Sequence, residues 1–306
     1  MDNPLFKYLA LVKTAEKGSF TRAAQELDYA QSSVSKMVSD LEKEWGMTLL
    51  ERSRGGVCLT SAGEQIMPYL RKVLNGYREL EGQICRMNGA ETGVVRIGTF
   101  SSVAINWLPN IFAALQTDYP GIDYEMLLGD YDEVERWLGE GRVDCGFLRR
   151  PTPPRFDVIP LSRDEYKVVM PCGHPLAENS AVAIEALEGL PFLLLEHGGR
   201  TEVSDLLERS GVHPDVRFTT WEDFAIMAMA ERGLGVGILP DIILRRIPYK
   251  LEIRPLSIPY YRSIGLAVKD QAHLTPAVTK FIEYLPFREE AQPTLYNAHG
   301  CSPSLR

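Results

Sequence analysis

Apolar positions recur at helical spacing through the first ninety residues. Leu5, Phe6, Leu9 and Val12 supply one apolar face, with Asn3 as a cap, Pro4 at the first helical position and Gly18 as the stop. A second helix is expected to follow Thr21, another capping residue, and to run to Leu27, with Ala23 and Ala24 small enough to let it approach its neighbours closely. After the turn Asp28-Tyr29-Ala30, the spacing of Val34, Val38, Leu41 and Trp45 predicts a third helix over about residues 31–45, closed by Gly46. Residues 47–50 and 57–60 are short apolar segments joined by a basic, glycine-containing tip, which reads as a hairpin.

The next stretch has a different period. Ser61-Ala62-Gly63-Glu64 fits a capping box, and Ile66, Leu70, Val73, Tyr77, Leu80, Ile84 and Met87 then alternate spacings of four and three. That is a heptad seam. A core helix would carry a wider apolar stripe, whereas Arg71, Lys72, Arg78, Glu79 and Arg86 leave a narrow one, so a coiled-coil dimer helix is expected. Pro68 and Gly76 weaken it locally and are expected to bend it.

From Gly93 onward strands alternate with helices. Strands are predicted over residues 94–99, 122–128, 143–148, 191–195 and 216–219, with helices over about 102–117 and 131–139, one from Thr201, and one opened by a second capping box, Thr220-Trp221-Glu222-Asp223. Such alternation implies an α/β fold with a mainly parallel sheet, and two lobes of about a hundred residues each fit the length. The segment after Phe287 shows little periodicity and is expected to be loosely packed or disordered.

Charge divides the chain in the same place. Residues 1–89 hold 12 of the 33 basic and 11 of the 41 acidic side chains, net +1, so the remainder carries -9 of the overall charge of -8. The asymmetry suggests two functional parts, and affinity for phosphate in the first must come from local clustering. At 45% hydrophobic and 24% charged residues the composition is that of a soluble globular protein. No apolar run reaches the roughly 20 residues of a membrane span, and charges at Asp2, Lys7 and Lys13 spoil a signal peptide, so a cytoplasmic location is expected. The five cysteines are scattered without a C-x-x-C pair and read as reduced thiols.

Clustering is found on the third helix. Its outward face carries Ser32, Lys36, Ser39 and Lys43, flanked by Gln31, Ser33 and Ser35, with no carboxylate from Tyr29 through Ser39. Small hydroxyls, an amide and one lysine at a helix N-terminus suit base edges and phosphates in a major groove, and Arg52 and Arg54 on the hairpin tip suit phosphate or the minor groove. Singly, each could equally be ordinary solvated surface.

Together they are specific. Ala23-Ala24 with Leu27, Gln31-Ser32-Ser33-Val34-Ser35, Leu41-Glu42, Trp45-Gly46-Met47-Thr48-Leu49, Glu51-Arg52, Leu59-Thr60 and Ala62-Gly63 closely resemble the DNA-binding domain of LysR-type transcriptional regulators. Leu50, where that family usually has Phe, and Tyr29 in the turn are minor departures. The resemblance implies a winged helix-turn-helix over residues 1–60, a dimerisation helix over 61–89, and a two-lobed, periplasmic-binding-protein-like effector domain over 90–306. Lobe I would span about 92–162 and 265–287, and lobe II about 163–264. It further implies promoter DNA as a partner, a homodimer or a tetramer built as a dimer of dimers, and a small-molecule effector, with contact to RNA polymerase left open. Over the effector part the likeness is looser, resting on Arg96-Ile97-Gly98, Gly141-Arg142-Val143-Asp144, His174-Pro175-Leu176 and the run from Gly233 to Pro240.

Enzyme chemistry is not legible. Gly233-Leu234-Gly235-Val236-Gly237 misplaces the last glycine of a dinucleotide motif, and the five histidines lack ligand spacing, so neither cofactor, metal nor catalysis is expected. Two strand-to-helix junctions remain as anion cradles: Thr99-Phe100-Ser101-Ser102 and His197-Gly198-Gly199-Arg200-Thr201, at the strand ends where open α/β sheets bind ligands. Plain caps and turns are the alternative. The resemblance marks Ser102 as a polar effector contact, Asp130 as part of the loop after the second strand and Arg149 as a basic contact. Asp130 and Arg149 could pair with each other or read a ligand of both charge signs. The effector is expected to be anionic, held by Thr99, Ser101, Ser102 and Arg149 with Gly199 and Thr201. A sensory protein whose helix-turn-helix serves only assembly is the alternative function.

Overall fold

The computed structural model describes residues 3–53, 56–87, 92–196 and 202–289, with the side chains of 52, 53 and 85–87 excepted. Arg54, Gly199, Thr201 and the segment after 289 lie outside the described residues. Helix α1, Pro4–Lys17, is capped by Asn3, whose Oδ1 accepts from the Leu5 N–H at 3.1 Å, and Gly18 ends it with φ 60. Leu11, Val12 and Ala10 are its buried face, while Phe6 is 45% exposed and leans toward Tyr29, because it lies off the row that Leu5, Leu9 and Val12 make. Helix α2, Phe20–Leu27, begins earlier than expected. Its cap is Ser19, not Thr21, since the left-handed turn at Gly18 sets Ser19 in an extended conformation from which its Oγ accepts from the Arg22 N–H.

Asp28, itself left-handed, turns the chain into α3, Gln31–Trp45. Ala23 and Val34 are fully buried between the three helices, with Val38, Leu41 and Leu49 completing the same core. Strands β1, Leu50–Ser53, and β2, Gly56–Leu59, form the wing in antiparallel register. The wing is tied to α1 by the Val57 N–H, which donates to Gly18 O at 2.9 Å, and a Cβ on Gly56 would stand 2.6 Å from that same oxygen. Only glycine fits there.

Helix α4, Ser61–Met87, is capped one residue before the expected Ser61: Thr60 Oγ1 accepts from the Gly63 N–H at 3.0 Å. The helix has two apolar faces. Met67, Leu70 and Leu74 bury against the N-terminal core, whereas Tyr69, Val73, Tyr77, Leu80 and Ile84 stay exposed. The first two residues of the heptad seam, Ile66 and Leu70, are thus engaged within the chain, and Tyr69 joins the outward stripe.

Beyond it come β3, Gly93–Thr99, α5, Ser101–Asn106, α6, Leu108–Asp118, β4, Ile122–Leu128, α7, Tyr131–Glu140, and β5, Cys145–Arg150. A single helix was expected over 102–117. The break falls at Trp107, fully buried, and Pro109 lacks the N–H that would continue the ladder. Strand β6, Asp157–Pro171, is long enough to serve both lobes, pairing first with β11, Tyr261–Val268, and from Tyr166 onward with β9, Val236–Pro240, and β10, Leu251–Pro255. Between these lie β7, Pro191–Leu195, α8, Glu202–Ser210, β8, Asp215–Thr220, α9, Asp223–Glu231, and α10, Asp241–Leu244; α11, Pro276–Glu283, follows β11.

The strand order β4-β3-β5-β11-β6-β9-β7-β8 is parallel at β3 with β4 and β5 and at β7 with β8 and β9, and antiparallel where β11 and β6 join the lobes. The second capping box does not form. Strand β8 runs on to Thr220, so Glu222 becomes the cap of α9. Cys172 is disulfide-bonded, which corrects the expectation of five reduced thiols, while Cys58 and Cys145 are free. No described helix is long and apolar enough to cross a membrane.

Candidate functional site

Where β6 and β11 pass between the lobes, their register sets Arg262 opposite Asp164. Arg262 is buried and spends its donors on four bonds: Nε and Nη2 to Asp164 Oδ2 at 2.9 and 2.7 Å, Nη1 to Tyr131 Oη at 2.8 Å, and Nη2 to Ser102 Oγ at 2.7 Å. The guanidinium also lies over the Phe100 ring, 5.1 Å from its centroid. One cation therefore joins β11 to β6, α5 and α7. Asp164 is satisfied further by the Ile242 N–H at 2.9 Å, at the start of α10.

This cluster is the floor of a cavity of about 140 Å³ between the lobes. Its walls include Ser101, Asp130, Asp132 and Arg149 on one side and Glu196, Glu202, Trp221 and Asp223 on the other, with Tyr166 at the crossover. Arg149 reaches across to Glu202 at 3.5 Å and lies over the Tyr131 ring. Burial pushes the Tyr131 hydroxyl up to about 12, so it stays a proton carrier able to donate. Burial likewise raises Asp223 to about 6, against a smaller lowering by Arg262.

A carboxyl raised in the folded state stabilises the fold below its unfolded value of 3.8, and that contribution is lost as the pH climbs through about 6. The charged form therefore costs the unliganded chain on the order of 3 kcal/mol at alkaline pH. Asp223→Asn should raise the melting temperature relative to wild type at pH 8 more than at pH 5, measured by scanning calorimetry. An equal difference at both values would show that the buried carboxylate carries no such penalty.

Of the effector residues anticipated from sequence, Ser101, Ser102, Asp130 and Arg149 line the cavity. Thr99 does not: it is fully buried and its hydroxyl turns to Phe100 O. Ser102 Oγ is held by Arg262, and Asp130 caps α7, its Oδ1 accepting from the Glu133 N–H at 2.8 Å. Arg149 pairs with Glu202 of the other lobe. Sequence reasoning missed Arg262, Asp164, Tyr131, Tyr166, Glu202 and Asp223. One signal was present: Arg262 falls in phase with buried Ile264, Leu266 and Val268 along β11, an arginine where period-two alternation calls for an apolar residue.

The second candidate surface is α3. Gln31, Ser32 and Lys36 are exposed and Ser33 and Ser35 half-buried along its first turns, while Val34, Val38 and Leu41 face the core. Ala30 at its cap supplies no side-chain acceptor, so the N–H groups of Gln31 and Ser32, ahead of the Ser33 N–H that bonds Ala30 O, can meet an anion. Lys36 pairs with Asp40 at 2.6 Å, an exposed pair that a phosphate can displace. Arg52 lies in β1 on the wing beside this helix. Among the described residues no cluster of His, Cys, Asp and Glu is arranged to hold a metal.

Residues 7–64 match the model of the bacterial regulatory helix-turn-helix protein, lysR family, and residues 88–287 match the LysR substrate binding domain. The uncharacterized HTH-type transcriptional regulator YvbU of Bacillus subtilis is 32% identical over 275 residues, covering 89% of this chain and 94% of that protein. The probable HTH-type transcriptional regulator LrrA of Synechococcus elongatus is 32% identical over 277 residues, covering 90% and 94%. Full-length OxyR of Pseudomonas aeruginosa superposes with a TM-score of 0.72 at 24% identity, covering 94% of this chain and 99% of that one. Full-length CbnR in complex with its target DNA gives 0.66 at 19% identity, covering 94% and 99%. These two likenesses concern the fold.

Proposed function

The chain belongs to the LysR family of transcriptional regulators, joining a helix-turn-helix DNA-binding domain to an effector-binding domain, and from that premise we propose how its residues divide the work. Helix α3 is the recognition helix: Gln31, Ser32, Ser33, Ser35 and Lys36 meet base edges and adjacent phosphates in the major groove. The observation that carries this is the carboxylate-free N-terminal face of α3, turned away from the core. Arg52 and Arg54 on the wing contact phosphate or the minor groove. The exposed stripe of α4 pairs two chains, so that two recognition helices meet a dyad-symmetric site.

The cleft between the lobes takes a small-molecule effector with an anionic group, held by Ser101, Ser102 and Arg149, with Asp130 at the wall and Gly199 and Thr201 from the opposite junction. Differential affinity for the open and closed lobes is what lets such a ligand act. A physical route toward the DNA-binding domain exists in α4: Arg71 pairs with Glu16 of α1 and with Glu140 of α7, and Asn75 Nδ2 donates to Gly141 O at 2.9 Å.

The two DNA-contacting sets should fail differently. Gln31→Ala or Ser33→Ala should cost about 1–3 kcal/mol on the chain's own upstream intergenic DNA and relax preference at one base position. Arg52→Ala or Arg54→Ala should weaken all sequences alike and reduce the salt slope by about one. Fluorescence anisotropy across a salt series separates them. Unchanged affinity and preference in both α3 variants would remove the recognition-helix assignment, and a sequence-selective loss with an unaltered slope would remove the wing assignment.

A further inference from the structure

The cleft is built for more than an anion. Asp223 lines the cavity, is only 8% exposed, and among the described residues has no hydrogen bond or ion pair to another side chain; its own backbone N–H is its hydrogen-bonding partner. Arg262 acts on it only at a distance, and a buried carboxylate without a directly bonded cation is retained against a large desolvation penalty. Glu202 lines the same cavity, and its Oε1 is buried with no hydrogen-bond partner among the described residues, while Oε2 is 3.5 Å from Arg149. Two acceptors therefore face a space that supplies them no full donor set.

The charge of the walls points the same way. Arg262 is matched by Asp164, and Asp130 is taken up as the cap of α7. Among the described residues this leaves Asp132, Glu196, Glu202 and Asp223 around the cavity against Arg149. A purely anionic ligand would have to enter against that excess. An ammonium group has three donors and no acceptor, which is the complement of two carboxylates with unused oxygens. Trp221 and Tyr166 also line the cavity, and aromatic rings tolerate a neighbouring cation better than an anion.

We propose that the effector is an amino-acid-like zwitterion, its ammonium taken by Asp223 and Glu202 and its carboxylate by Arg149. This rests on the reading of the cleft as the effector site and assigns the ligand class. At about 140 Å³ the cavity holds roughly the volume of four or five waters, which suits a small amino acid. Binding exchanges the Arg149 to Glu202 contact for two contacts with one ligand, and it supplies Asp223 with a directly bonded cation. A ligand lacking the ammonium leaves that carboxylate as it was.

The test is thermal shift followed by calorimetry on the full chain at pH 7.5, with the twenty standard amino acids and, for each, the 2-hydroxy acid in which oxygen replaces the amine. At least one amino acid should raise the melting temperature by several degrees, and its hydroxy acid should bind at least tenfold more weakly. Asp223→Asn should lower that amino acid's affinity at least tenfold without lowering the melting temperature of the unliganded chain, and Glu202→Gln should weaken it in the same direction. The proposal is overturned if no amino acid shifts the melt, if the hydroxy acid binds as tightly, or if both variants keep wild-type affinity. Hydroxy acids that bind and are weakened by Ser102→Ala or Arg149→Ala would keep the cleft and discard the ammonium. Ligands indifferent to all four substitutions would discard the cleft itself.

Discussion

Arg262→Met should destabilise the chain by about 3–5 kcal/mol, because it strips the counter-charge from a carboxylate with no exposed surface. Asp164 would keep the Ile242 N–H but lose both guanidinium bonds, and Tyr131 and Ser102 would each lose a donor at the cavity floor. Replacing both partners, Arg262→Met with Asp164→Leu, removes the orphaned charge together with the cation and should recover most of the loss. Urea denaturation followed by circular dichroism, run as a double-mutant cycle, measures it. A single-variant loss below 1 kcal/mol, or a double variant no better than the single, would mean that the pair is not the fastening it looks to be. The consequence reaches the ligand. Arg262 holds α5 and α7 to the strands that cross between the lobes, so the recovered double variant should still bind effector more weakly than wild type.

The two halves of the chain were unequally legible, for a physical reason. The DNA-binding end is written in local code: the cap at Asn3, the left-handed stops at Gly18 and Gly46, and the period of Val34, Val38 and Leu41 all act within one turn or two. Even its errors are local, Ser19 displacing Thr21 and Thr60 displacing Ser61 once the preceding turn decides which hydroxyl is extended. The cleft is written across long separations. Arg262 and Asp164 become neighbours through the register of β11 on β6, and Asp223 and Glu202 come to line one cavity only after β7 and β8 have placed α8 and α9. Helix-start residues were visible at Ser101 and Ser102, but that an arginine from β11 would claim the Ser102 hydroxyl was not. What sequence does show is the anomaly, a charge in the buried phase of a strand, and its partner follows from the topology.

Leu80→Asp or Ile84→Asp should abolish dimerisation while leaving each chain folded. In the single chain Val73, Tyr77, Leu80 and Ile84 are 41–54% exposed, with Tyr69 at 70%, so this stripe of α4 adds little to the chain's own core. Its far side is occupied, since Met67, Leu70 and Leu74 are buried in the N-terminal core where α4 packs on α1. A large apolar stripe left in water beside a filled core face suits the proposed pairing with a second copy of the same helix, at the heptad spacing the sequence already carries. An aspartate placed there becomes a buried unpaired charge only on association, at a penalty of several kcal/mol per chain. The equilibrium should therefore move to monomer with the circular-dichroism melt of each chain little changed. Lys72→Glu, on the same helix but outside the stripe, should remain dimeric. Loss of DNA affinity should follow from loss of the second recognition helix, steeply on a two-half-site fragment and weakly on a single half-site. Sedimentation velocity decides the matter: intact dimers of both aspartate variants at micromolar concentration would place the interface on another surface of the chain.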